Sequence, residues 1–171
     1  MNRSKRIFYF AIILYCLTLT GCSEARMNNN LEIVNSTILD TLDTFHDNEL
    51  YLFKYLLIQV VEEEQPEKIE GMIELYLLNN NKTLPYILSL NNSNTIPAED
   101  STTLIELYEK LHKYINTLDF MLKNNTIKND AKELEELIIL TEKSRNKKIL
   151  SEENMKKTKL LLTTLNKYVK K

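Results

Sequence analysis

Tryptophan is absent from this chain of 171 residues, glycine and cysteine occur twice each, and proline three times. Each scarcity excludes something. Phosphate-cradling loops and dinucleotide turns need several glycines for positive φ and close backbone approach. Only Gly21 and Gly71 are present, so neither can be built, and tight β-hairpin turns are equally poorly served. The cysteines are Cys16 and Cys22, too few for a disulfide framework. The histidines are His46 and His112, with no His-x-x-x-His or Cys-x-x-Cys spacing, so the three or four ligands of a zinc site are missing. His46-Asp47-Asn48-Glu49 therefore reads as a helix junction carrying solvated polar groups. No Gly-x-Ser-x-Gly elbow occurs either. No catalytic residue, metal or cofactor is expected.

The first part of the chain is organised for export. Arg3, Lys5 and Arg6 form a positive leader, Ile7 to Thr20 carries no charge, and Leu19-Thr20-Gly21-Cys22 places small residues immediately before a cysteine. That order is the layout of a secretory signal. The uncharged run is shorter than the about 20 apolar residues a spanning helix needs. Leu19-Thr20-Gly21-Cys22 resembles the lipobox of bacterial lipoproteins. The resemblance implies cleavage between Gly21 and Cys22 and a thioether-linked diacylglycerol on the Cys22 thiol. Residues 1–21 are then a signal peptide and 22–30 a lipidated cysteine with a short polar tether. Residues 31–171 form a single domain. Ser23 to Asn30, fully extended, reach at most about 26–29 Å, which keeps the domain close to its membrane.

Charge is unevenly spread. The formal net charge is −2, and removal of Arg3, Lys5 and Arg6 makes it about −5, which offers no general attraction to nucleic acid. Asp40 to Glu74 is strongly acidic, with Glu62, Glu63, Glu64, Glu67 and Glu70 crowded around a helix end and a helix start, where they read as a solvated corner. From Lys143 onward the chain is basic. Lys156, Lys159, Lys167 and Lys170 fall near one face of the last helix and form a candidate binding patch for a protein or polyanion; ordinary solvation with neighbouring acids is the competing account.

With 43% hydrophobic residues, and Leu, Ile, Glu, Lys and Asn prominent, the body reads as all-helical. Leu31, Val34, Ile38, Leu42, Phe45, Leu52, Leu56 and Val60 recur at helical spacing, broken only at Glu49, with a break into two helices expected near His46-Asp47-Asn48. Pro66 opens a second helix bearing Ile69, Ile73 and Tyr76, and Leu84 to Leu90 forms a short third. Asn91 to Asp100 reads as loop. Thr103 with Glu106 fits a capping box before a stripe from Leu104 to Leu122. Asp130 with Glu133 opens another helix, and Ser151-Glu152-Glu153 caps a last one. Five or six amphipathic helices with short links bury their stripes against one another as an antiparallel bundle.

In this glycine-poor, Asn-, Lys-, Ile- and Leu-rich composition, residues 22–171 also resemble the helical surface lipoproteins of Borrelia-type spirochaetes. That resemblance implies a non-catalytic binding module for a host or environmental protein or polyanion, attached to the membrane through lipid. The alternative is an accessory or immunity-type lipoprotein that partners another protein of the same membrane.

Overall fold

The computed structural model describes residues 33–62, 65–79, 82–124, 131–145 and 147–169. The expected signal peptide, Cys22 and the tether lie outside the described residues. The chain divides into two compact units, Met1–Ile38 and Leu39–Lys171. Of the first, 33–38 is described and is helical. The account below concerns the second.

Among the described residues the structure is all-helical: α1 over 33–61, α2 Pro66–Asn79, α3 Thr83–Asn92, α4 Ala98–Lys123, α5 Ala131–Ser144 and α6 Glu152–Tyr168. None of these helices is long and apolar enough to cross a membrane. Contacts between side chains fix their directions. Lys54 meets Glu142 at 2.7 Å and Asp47 meets Arg145 at 3.0 Å, so α1 and α5 run antiparallel. His46 meets Tyr108 and Phe53 meets Tyr114, so α1 and α4 share a direction. The Tyr114 hydroxyl donates to Glu133 at 3.2 Å and the Tyr168 hydroxyl to Glu136 at 2.5 Å, which returns α5 beside α4 and α6 beside α5. The result is the antiparallel bundle that the stripes require, with α4 also packed on α6, α3 and α2.

The helix α1 is continuous through His46-Asp47-Asn48, contrary to the expected break. These residues are only weak helix formers, and no glycine or proline lies between 33 and 61 to stop the backbone. The buried stripe is also centred differently. Leu42, His46, Glu49, Leu50, Phe53, Leu56, Leu57 and Val60 are buried, while Phe45 and Leu52 are half-buried. Glu49 does not interrupt the stripe; it belongs to it.

Two helix starts differ from expectation. α4 begins at Ala98 behind Pro97, five residues before Thr103, whose hydroxyl instead donates back to the Glu99 carbonyl at 3.0 Å within the helix. Glu99 and Asp100 in its first turn supply the negative charge favoured there. The loop before it is correspondingly short, and Ile96 within it is buried. α6 starts as expected, with Ser151 Oγ accepting from the Asn154 amide at 3.4 Å. The α5–α6 turn is fastened to α1: Asp43 accepts from the backbone N–H groups of Lys148, at 2.6 Å, and Ile149, at 2.8 Å. The Asn154 amide donates to the carbonyls of Lys147 and Lys148.

Candidate binding cleft

The two polar residues on the buried stripe of α1 sit one turn apart and face different surroundings. His46 is fully enclosed, and its partners come from α4 and the end of α5. Its Nε2 lies 3.2 Å from the Ser144 carbonyl oxygen, which can only accept, so Nε2 carries the hydrogen. Nδ1 must then accept, and the Tyr108 hydroxyl 2.5 Å away donates to it. Desolvation lowers the His46 pKa to about 4, only partly offset by the Ser144 contact and by Asp43 and Asp47. Burial together with the charge of Glu49 pushes Tyr108 well above its ordinary range. Both groups are neutral at physiological pH, and each meets the other's hydrogen-bonding need in a place water does not reach. This is a structural pair that closes the bundle, unlike the solvated junction expected at His46.

Glu49, one turn further on, is 5% exposed, and the Tyr76 hydroxyl of α2 donates to its Oε1 at 3.4 Å. Glu49 is also among the residues lining a cleft of about 320 Å³ between α1, α2 and the start of α3. Phe45, Tyr51, Leu52 and Tyr76 form its walls. The aromatic walls are held by neighbours: Phe45 packs edge-on to Tyr86 at 5.3 Å, and Tyr51 lies between Tyr55 and the Arg145 guanidinium, which sits 5.0 Å from its ring centre. Arg145 is itself fixed by Asp47, through two hydrogen bonds of 3.0 and 3.3 Å, and by Glu142. Asn48, Thr83 and Lys82 supply the remaining polar lining. Lys82 precedes α3 and gives that helix no side-chain cap. A mostly apolar concavity with a few placed polar groups is the usual form of a small-ligand site.

The lysines singled out on α6 are differently disposed. Lys156 pairs with Glu152 and Lys159 with Glu99, each at 2.6 Å, and Lys167 lies against the ring of Tyr168. The Glu99 contact raises Lys159 and lowers Glu99 from their ordinary values, as expected for a surface pair. Lys170 lies outside the described residues. Part of the positive charge on this face is thus answered within the fold. A second concavity, of about 300 Å³, lies beside it, lined by Asp100, Glu152, Lys156 and Lys159 among others, whose charges largely pair with each other or with Glu99.

The other histidine, His112, is half-buried, with its ring edge-on to Tyr76 at 6.3 Å, and desolvation lowers its pKa. Among the described residues no group of three or more His, Cys, Asp or Glu side chains is arranged to hold a metal ion. The cleft escapes a reading of sequence because its polar floor looks like a flaw in an apolar stripe. The available signal was Glu49 at the helical spacing of Leu42, His46 and Phe53, facing the core helix for helix.

Comparison of the chain with protein-family models, with curated proteins and with solved structures finds no match.

Proposed function

We propose that this chain is a lipid-anchored lipoprotein of a bacterial envelope, whose helical body is a non-catalytic binding module held near the membrane through Cys22. The observation that carries the anchor is Leu19-Thr20-Gly21-Cys22, closing an uncharged run behind Arg3, Lys5 and Arg6. A binding role without catalysis is supported by where the reactive groups lie. His46 and Tyr108, a hydrogen-bonded imidazole–phenol pair, are sealed in the core and held neutral, so neither exchanges protons with a bound molecule. The cleft beside Glu49 offers aromatic surface and fixed charge, which suit recognition, and it takes precedence over the partly paired α6 lysines as the binding surface.

Radiolabelled palmitate fed to bacterial cells making the intact chain and its Cys22→Ala variant tests the reading. The parent chain takes up the label, and the variant, without a thiol to acylate, does not. Equal labelling of the two, or no label in the parent, contradicts the anchor. The second reading, an accessory lipoprotein acting on a partner in its own membrane, draws on the short polar run Ser23 to Asn30. Protection of the protein from protease added to intact cells favours it, and removal by that protease favours an external ligand.

A further inference from the structure

We propose that the turn between α5 and α6 is an acid-released latch: Asp43, His46 and Asp47 on one face of α1 hold residues 144–149 in place, and proton uptake at His46 frees that turn while the bundle stays folded. The proposal goes beyond the binding-module reading and depends on neither the lipid nor the identity of a ligand.

The grip on the turn comes from one stretch of α1. Asp43 accepts from the N–H groups of Lys148 and Ile149 at 2.6 and 2.8 Å, and His46 Nε2 donates to the Ser144 carbonyl at 3.2 Å. Asp47 holds the Arg145 guanidinium at 3.0 and 3.3 Å. Spacings of three and four put the three side chains on one side of the helix. Each hold passes through a group that can take a proton. The turn itself resists its conformation, since Lys148 has a φ of 63°, in the left-handed region that disfavours a residue with a Cβ.

A proton on His46 sets these holds against one another. The neutral ring accepts from Tyr108 at Nδ1 and donates to Ser144 at Nε2. In the charged ring Nδ1 becomes a donor that faces a hydroxyl hydrogen, in a place sealed from water. Burial of that charge is what lowers the His46 pKa to about 4. Around the ring stand Asp43 and Asp47 on α1, Tyr108 on α4 with the charge of Glu49 acting on it, and Arg145 on α5 with Glu142 beside it. The two aspartates favour the imidazolium, yet both are engaged, one with the turn amides and the other with Arg145. A charged ring therefore competes with the turn for its own clamps. Its way to water is also through the turn. Tyr108 is wholly buried on the helix that packs against α2, α3 and α6, whereas Arg145 is half-buried and Lys147 and Lys148 are exposed.

Release has a local consequence. Ile149 within the turn is buried, and Leu150 and Met155 just after it line the second concavity with Asp100, Lys156 and Lys159. Opening thus uncovers apolar surface and reshapes the α6 face, while the α1–α2–α3 cleft draws none of its lining from the turn.

The test is an NMR titration of the full-length chain in detergent micelles from about pH 7 to about pH 3. The His46 ring and the backbone amides of Lys148 and Ile149 shift together, with one midpoint near 4. The amides of Ile115 and Leu118 on α4, and of Thr83 beside the cleft, keep their positions. His46→Gln, which has no ring to protonate, loses the step at the turn, and His112→Gln keeps it. Separate midpoints for ring and turn amides, a step in His46→Gln equal to the parent's, or loss of the α4 and turn signals together overturns the latch. The coincidence of midpoints is read on the parent chain, so it decides the matter even where a variant does not fold.

Discussion

The Tyr108 hydroxyl lies 2.5 Å from Nδ1 of His46, a residue 62 positions earlier in the chain, and both side chains are wholly buried. The pair ties α1 to α4, and through the other ring nitrogen to the Ser144 carbonyl at the end of α5. Three helices distant in sequence thus share one imidazole.

That arrangement makes folding sensitive to mild acid. The unfolded chain protonates His46 near 6.5, while the folded chain holds it neutral down to about 4. Between these values the unfolded state binds a proton the folded state does not, so the contribution is complete above pH 6.5 and is lost as pH falls towards 4. The loss amounts to about 3 kcal/mol. Carboxylates lowered by their partners, such as Glu142 beside Lys54, lose their contribution only further into acid. Urea unfolding at a series of pH values shows the decline beginning below 6.5, and His46→Gln flattens it. A parent chain equally stable at pH 6.5 and 4.5 contradicts the account.

Gly71 stands inside α2, exposed, and a Cβ built on it meets no atom within 4 Å. Glycine in a helix interior costs backbone entropy without any return here. Gly71→Ala is therefore stabilising by about 0.5–1 kcal/mol, read as a higher urea midpoint at unchanged slope.

Asp43 holds the α5–α6 turn through two backbone N–H groups, one of them on Lys148, whose φ of 63° places it in the left-handed region. Asp43→Ala leaves those donors without the carboxylate and the strained residue without its clamp. The expected loss is about 1–3 kcal/mol. Faster amide exchange at Lys148 and Ile149 localises the effect, and unchanged exchange there argues against the clamp.

The helices were legible because their stripes follow the helical period: Leu104, Leu107, Leu111, Ile115 and Leu118 are all buried on α4, and Leu161, Leu162 and Leu165 on α6. The Ser151 cap was legible because its signal is local. Thr103 misled for the same reason: a capping pattern carries no information about Pro97, which caps α4 six residues earlier. His46 and Glu49 were unreadable as core residues because their partners, Tyr108, Ser144 and Tyr76, are supplied by other helices. A polar residue on an apolar stripe looks like an interruption until the group that satisfies it is brought alongside. The cleft inherits that difficulty, since its lining gathers residues from α1, α2 and the start of α3 that no spacing links.

The proposed attachment of the body to a membrane rests on one thiol, and mass spectrometry of the N-terminal peptide of the protein isolated from its own cells tests it most directly. The account predicts a peptide that begins at Cys22 and carries the mass of a diacylglycerol on that residue. A chain still holding residues 1–21, or one cut elsewhere with Cys22 unmodified, contradicts it.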